Sequence, residues 1–458
     1  MKNLTVLPHD KHMKDIIASI STPLGTGAIS IVRMSGENCL DVALKLFFAK
    51  NLNNKNIEPR KLYLGDFVTK NLKEKCMMVY FKAPNSYTGE DIVEFQIHGG
   101  EFLTNQVLKE TLNLGVKLAE NGEFSKRAFM NGKMSLDEAE GVIDVIDATS
   151  KAELKAGYEL MKGHLFREVE SIQNKLTEMI ARTEVTLDYP EYNDEEKEKK
   201  EARKELTSIC NRINTLLKNS EHGKYIKSGI NIALVGKPNV GKSSLLNAIL
   251  GEDRAIVTDV RGTTRDTIKE TVLHKGIKFN FIDTAGLRES NDFVEKIGIS
   301  KTRDIIKTAD IVIFLLDGSV PLDEEDNAIF WQIKEYNPLI VLNKDDMKIS
   351  QNLPYENVFY ISALKKQGIE NLKEEIYNIT IKEKIDTSAL VLTNQRHINA
   401  LKNAKVYTNE AIDTILNVSL DIANFEIRKI WIELGKITGV SENEKIIDEI
   451  FARFCLGK

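Results

Sequence analysis

Proline is scarce in this chain, with 9 residues in 458, and cysteine scarcer still, with 4. The thiols Cys39, Cys76, Cys210 and Cys455 show no C-x-x-C spacing, which argues against a zinc ribbon and against a disulfide framework. Free thiols fit a reducing compartment, so the expected location is the cytoplasm. No apolar run approaches the ~18 residues of a membrane span. The opening segment carries His9, Asp10 and His12 and lacks the apolar core of a secretory leader. The net charge is −5, so no overall basic field advertises nucleic acid, although a local patch is allowed.

The composition, 42% hydrophobic and 29% charged, is that of a water-facing globular protein. The length exceeds one core, and two or three domains are expected. Residues 1–125 read as mixed α/β. Ile29 to Arg33 and Met77 to Phe81 are rich in strand formers, and Asp91 to Ile97 alternates as a half-buried strand should. From 126 to 221 glycine thins and apolar residues recur at three- and four-residue steps, as in Ile172, Leu176, Ile180 and Val185, predicting long amphipathic helices. The charged block Asn193 to Lys204 reads as a solvated helix face or turn. Between 222 and 378, apolar strands alternate with helical patterns, predicting a mainly parallel sheet with helices on both faces. Residues 379–458 return to helix. The fold class expected is therefore a mixed α/β N-terminal domain and a discontinuous helical domain with an α/β module inserted into it.

Within that module, Gly236-Lys237-Pro238-Asn239-Val240-Gly241-Lys242-Ser243 matches G-x-x-x-x-G-K-[ST], follows an apolar strand and opens a helix from Ser244 to Leu250. Backbone N–H groups of such a loop curl around phosphate oxygens, and the helix N-terminus favours their charge. Lys242 suits the β- and γ-phosphates and the Ser243 hydroxyl suits Mg²⁺. Thr263 or Thr264, about twenty residues on, offers a second hydroxyl to the metal from a switch loop. Asp283-Thr284-Ala285-Gly286 ends a strand, with Asp283 set to hold the metal through water and the Gly286 N–H to sense the γ-phosphate. Asn343-Lys344-Asp345-Asp346 ends another. The Asp346 carboxylate accepts from N1–H and the 2-amino group of guanine, a donor pair adenine lacks. Ser362-Ala363-Leu364 supplies a backbone contact to the guanine oxygen. Together these imply a GTPase site. Leu287 stands where related proteins carry a water-orienting glutamine, so another group must orient water or hydrolysis is slow. Asn239 either helps coordinate a monovalent cation beside the phosphates or simply favours the turn.

The stretches outside the module resemble the MnmE (TrmE) family of tRNA-modification GTPases. Pro84-Asn85-Ser86-Tyr87-Thr88-Gly89-Glu90-Asp91 is similar to that family's PxSYTGED motif, with His98-Gly99-Gly100 following. Gly122-Glu123-Phe124-Ser125-Lys126-Arg127-Ala128-Phe129, then Asn131-Gly132-Lys133, resembles its GEFxxRAFxNxK segment, and Phe454-Cys455-Leu456-Gly457-Lys458 its FC-[IL]-GK terminus. The resemblance covers essentially the whole chain.

It implies that the chain adds a (carboxymethyl)aminomethyl group to C5 of the wobble uridine, position 34, of certain tRNAs. The partner is the FAD-dependent protein MnmG (GidA), in a heterotetramer built on a constitutive homodimer. It implies 5-formyltetrahydrofolate or a related one-carbon folate, held by Arg33, Glu90, Lys133 and Lys458 in a domain that also dimerises. Arg and Lys suit the glutamate carboxylates, and Glu90 suits pterin N–H donors. It implies K⁺ at Asn239, Thr258, Val260 and Thr263, and nucleotide contacts from Thr258-Asp259-Val260-Arg261-Gly262-Thr263-Thr264. It implies Glu295 as the water-positioning carboxylate that answers Leu287, and Cys455 as a functional thiol. The alternative is a regulatory GTPase of ribosome assembly, which shares the nucleotide motifs but needs neither folate nor a terminal cysteine.

Overall fold

The computed structural model describes residues 15–50, 52, 56–192, 194–218, 220, 223–251, 270–282, 306–347, 349, 353–381, 391–455 and 457. The chain divides into two compact units. One comprises Met1–Asp144, Gly157–Asn214 and Asn399–Lys458, the other Val145–Ala156 and Thr215–Ile398.

The first unit opens with β1 (Ile17–Ile20), β2 (Ile29–Ser35), α1 (Cys39–Ala43), β3 (Phe47–Phe48), β4 (Leu62–Val68), β5 (Lys73–Phe81), β6 (Ile92–His98), α2 (Glu101–Leu112), β7 (Lys117–Leu118) and α3 (Glu123–Met130). The strands form a seven-stranded sheet in the order β3-β4-β5-β6-β2-β1-β7, antiparallel except where β7 joins β1. One face packs Val32, Met34, Phe67, Met78, Val93, Phe95 and Ile97 into an apolar core. Strand β6 departs from the half-buried expectation, since Ile92 through Phe95 are all buried. It lies in mid-sheet between β5 and β2, and its second face is covered as well. There Glu94 stands directly across from Arg33 of β2. Beside them Phe124, Ile17 and Ala119 form a small apolar cluster.

Helices α4 (Leu136–Asp147), α5 (Lys151–Met161), α6 (His164–Asp188) and α7 (Glu195–Lys218) follow. Along α6 the buried residues Leu165, Val169, Ile172, Leu176, Met179, Thr183 and Thr186 keep three- and four-residue spacing, one apolar stripe on a long helix. The charged block at the start of α7 is helical, but one side of it is covered. Ala202 is buried, and so is the stem of Lys199, whose ammonium reaches Glu195 at 2.8 Å.

The second unit holds α8 (Gly223–Ser228), β8 (Ile230–Val235), α9 (Lys242–Leu250), β9 (Glu270–His274), β10 (Ile277–Ile282), β11 (Ile311–Asp317), α10 (Glu324–Ile333), β12 (Leu339–Asn343), β13 (Phe359–Tyr360) and α11 (Ile369–Thr380). The sheet order is β13-β12-β11-β8-β10-β9, parallel except for the β9–β10 hairpin. Alternate residues of β11 enter opposite layers. Ile313 and Leu315 join one core, while Val312, Phe314 and Leu316 join the other. A strand covered on both faces reads as a continuous apolar run, as β11 does. The chain leaves β8 to build β10 on one side and β11 on the other. That reversal opens a crevice beyond the carboxyl end of β8, the usual ligand position in open α/β sheets.

The chain then returns to the first unit in α12 (Gln395–Thr414), which begins in the second, and continues in α13 (Leu420–Thr438) and α14 (Glu444–Ala452). Helix α13 packs on α6. Gln173 donates to the Trp431 carbonyl at 3.0 Å, the Trp431 indole N–H donates to Thr177 at 3.1 Å, and Arg428 pairs with Glu184. The helical domain is therefore discontinuous.

Phe314 tests the second layer of the inserted module. It is fully buried, with its ring 6.1 Å from Phe330 and 6.3 Å from Tyr355. Phe314→Ala should cost about 3–5 kcal/mol by cavity formation. The expected result is a lowered urea midpoint for this unit in circular dichroism; an unchanged midpoint would contradict the packing.

Candidate functional sites

The turn after β8 is built for close approach. Gly236 has φ 156, Asn239 φ 64 and Gly241 φ 99. Asn239 thus occupies the left-handed region that Asn tolerates better than most residues. Gly241 admits no side chain, because a Cβ there would lie 2.2 Å from the Asn343 amide nitrogen. Lys242 opens α9 and folds back across the loop, donating to the carbonyls of Gly236 at 2.5 Å and Lys237 at 2.7 Å. Burial holds its ammonium below the usual lysine range. Ser243 and Ser244 lie in the first turn of α9, where backbone N–H groups point out of the helix end.

Asn343, at the end of β12, joins this loop to the next. Its amide donates to the Val240 carbonyl at 2.9 Å and accepts from the Ala363 N–H at 3.0 Å. Both bonds are buried, so neither competes with water. Asp345 N–H donates to the Ile361 carbonyl, and the Ser362 hydroxyl donates to Asp346 at 2.6 Å. That hydroxyl holds the Asp346 carboxyl below its ordinary range. Leu364 is exposed beside it. The structure therefore gathers Asn239 through Ser244, Asn343 through Asp346 and Ser362 through Leu364 at one end of the sheet. Thr258 through Thr264, Asp283 through Gly286 and Glu295 lie outside the described residues, and with them the hydroxyl expected at Mg²⁺, Thr264, and most of the residues expected to hold a monovalent cation.

Two neighbours escaped the sequence reading. Asp317, at the end of β11, takes Lys344 at 2.5 Å and the Ser319 hydroxyl at 2.6 Å. Lys237, inside the loop, is bound by Asp323 and Asp326 at 2.7 Å each, and these same carboxylates cap α10. Only spatial pairing distinguishes them from ordinary charged residues.

A second cluster lies on the Glu94 face of the N-terminal sheet. The Arg33 guanidinium bonds Glu94 at 2.8 Å and sits 5.9 Å from the Tyr87 ring and 5.8 Å from the Phe124 ring. Glu90 accepts from the Ser35 hydroxyl at 2.8 Å and from Arg127 at 3.3 Å. Lys133 donates to the Pro84 carbonyl at 2.8 Å, and Asn131 to the Thr88 carbonyl at 2.8 Å. Those two bonds hold the end of α3 against the Pro84–Asp91 turn. Gly457 arrives at the end of β1, where its carbonyl accepts from Ser21 at 3.2 Å. A Cβ there would meet the Ile20 carbonyl oxygen at 2.2 Å. Lys458 lies outside the described residues. Cys455 is exposed, whereas Cys39, Cys76 and Cys210 are buried, and burial pushes the Cys76 thiol up to about 12. The sequence reading missed Arg127, Ser35 and Glu94. Arg127 stands inside the GEFSKRAF segment, yet nothing in one sequence marks it as the buried partner of Glu90.

A family model described as "GTP-binding protein TrmE N-terminus" matches residues 16–133, and one described as "MnmE helical domain" matches 136–455. The tRNA modification GTPase MnmE of Clostridioides difficile (strain 630) is 40% identical over 457 residues, covering 97% of this chain and 99% of that one. Its counterpart in Bacillus subtilis (strain 168) is 38% identical over 458 residues, covering 97% and 100%. Among solved structures, the G domain of the T. maritima FeoB iron transporter is 30% identical, spans 32% of this chain and 97% of that one, and aligns with a TM-score of 0.25.

Asn343→Ala removes both bonds between the loops, each worth about 0.5–1.5 kcal/mol. Affinity for a fluorescent GDP analogue should fall by roughly tenfold or more. An unaltered dissociation constant would mean the two loops do not depend on each other.

Proposed function

The chain belongs to the MnmE family of tRNA modification GTPases, and from that premise we propose that it hydrolyses GTP to drive a modification at C5 of the wobble uridine, position 34, of certain tRNAs. The group added is of the (carboxymethyl)aminomethyl type, and the FAD-dependent MnmG (GidA) is the partner, in a heterotetramer around a homodimer of this chain. The work is cytoplasmic. No helix among the described residues is long and apolar enough to cross a membrane. The reading divides the chain into a folate-binding and dimerising domain (1–125), two helical segments (126–221 and 379–458) and the G domain (222–378).

One observation carries the GTPase reading. The Asn343 amide ties the glycine loop to the loops holding Asp346 and Ser362, so phosphate grip and base recognition share one frame. The residues fit a guanine nucleotide. Lys242 is the cation for the β- and γ-phosphates. Asp346, held ionised by Ser362, is the acceptor for the guanine N1–H and 2-amino edge. Mg²⁺, held by Ser243 and Thr264, supplies charge neutralisation at the phosphates. K⁺, held by Asn239, Thr258, Val260 and Thr263, supplies positive charge where other GTPases use arginine. Glu295 positions the attacking water.

The folate reading is supported by Arg33 on the sheet face, Glu90 bonded to Ser35 of the same strand and Lys133 bonded to the Pro84–Asp91 turn, with the chain's Gly457 beside Ser21. Arg33 and Lys458 serve anionic groups of the ligand, Glu90 its ring N–H donors, and Cys455 acts near the one-carbon unit.

Nucleoside analysis of tRNA from a strain lacking this protein should show loss of the C5-substituted wobble uridine; a normal profile contradicts the proposal. GTP turnover should be faster in potassium than in sodium at equal ionic strength. Equal rates in the two salts remove the cation from the site.

A further inference from the structure

Arg127 carries the further inference. It lies on α3, 2% exposed, with Glu90 and Glu123 on either side. Its Nη2 donates to Glu123 Oε1 at 2.8 Å, and its Nη1 donates to the Asp15 carbonyl at 2.8 Å. The same Nη1 lies 3.4 and 3.3 Å from the two oxygens of Glu90, so it sits near the bisector of that carboxylate. Ser35 fixes the other coordinate by donating to Glu90 Oε2 at 2.8 Å. The Thr88 hydroxyl, itself 2.8 Å from Ser35 Oγ, accepts from the Glu90 backbone N–H at 3.1 Å. Backbone, carboxylate and turn are thereby held together.

Two features separate this from an ordinary buried ion pair. Glu123 alone, at 2.8 Å, is counter-charge enough for Arg127, so burying the guanidinium does not require Glu90. The trio of one cation and two carboxylates carries an excess negative charge, and the neighbouring Arg33–Glu94 pair is already balanced. A carboxylate offers about four lone-pair directions. Ser35 on Oε2 and one long contact shared by both oxygens leave a direction free on Oε1.

We propose that Arg127, with Ser35, is a positioning residue that aims Oε1 of the Glu90 carboxylate at an N–H donor of a 2-aminopyrimidinone edge, such as a pterin's, without touching the ligand. This rests on the folate reading above and names the residue that makes Glu90 competent in it. A flexible, solvated glutamate loses rotamer freedom on binding, whereas one already clamped does not, so the clamp appears as affinity.

The test is calorimetric titration of 5-formyltetrahydrofolate into the full-length protein, its Arg127→Lys, Ser35→Ala and Glu90→Gln variants, and the corresponding doubles, with circular dichroism to check folding. Arg127→Lys keeps the charge and loses the fork. It should weaken binding roughly tenfold, and Ser35→Ala roughly threefold, the range of single charge-assisted bonds. In the Glu90→Gln background neither should cost anything further. A merely structural Arg127 would lower the melting temperature and weaken binding by the same factor in both backgrounds, which overturns the proposal. So does wild-type affinity in both Arg127→Lys and Ser35→Ala. Should Arg127→Lys fail to fold, the Ser35 cycle decides alone. If Glu90→Gln binds as the wild type does, or the wild type does not bind at all, the folate reading itself falls, and this proposal with it.

Discussion

The Asn343 side chain spans two loops that the chain separates by about a hundred residues. One amide accepts from Ala363 and donates to Val240, and because it is buried its two bonds are not exchanged for water. Three neighbouring groups are set against that frame. Asp346 stands three residues beyond it, Ser362 next to its bonding partner, and Gly241 against its nitrogen. The glycine at 241 is usually explained by phosphate approach. Here a nearer reason exists, since any larger residue would push the amide out of place. Two motifs that look independent in the sequence are thus one steric unit.

Much of the architecture was legible before the structure. Local pattern reports elements whose burial follows one rule along their length, such as β11, covered on both faces, and α6, with a single buried stripe. The nucleotide loops were legible because their chemistry requires particular residue types in a fixed order along the strands. Strand β6 was misjudged as half-solvated because its alternation includes Glu94, and only the tertiary pairing with Arg33 shows a carboxylate covered by sheet neighbours. The block at Asn193 to Lys204 was read as a solvated helix face or turn, and the covered side of that helix escaped the reading for a related reason. A lysine stem packs as apolar surface while its ammonium reaches a carboxylate, and composition sees only the charge. Arg127, Asp317 and Lys237 were invisible for the most general reason. Their roles depend on which side chain lies beside them, and a lone sequence does not record adjacency.

The two sites share a physical style. In each, a carboxylate is aimed by a short-range donor from a neighbouring element, Ser362 for Asp346 and Ser35 for Glu90. Hydroxyls suit that task because they donate without adding charge, leaving the carboxylate's negative charge intact for its partner. Lysines within the nucleotide loops, by contrast, are parked on protein oxygens: Lys242 on two carbonyls and Lys344 on Asp317.

The Arg33–Glu94 pair also acts as a check on how the N-terminal sheet assembles. Side chains of a strand alternate between faces, so a slip of one residue between β2 and β6 would turn Glu94 in among Phe67, Met78 and their apolar neighbours while Arg33 lost its counter-ion. A misaligned sheet would then carry two orphaned charges in a poor solvent for charge, a penalty far larger than the difference between neighbouring apolar registers. The pair thus serves as the index mark by which the central strands find their alignment.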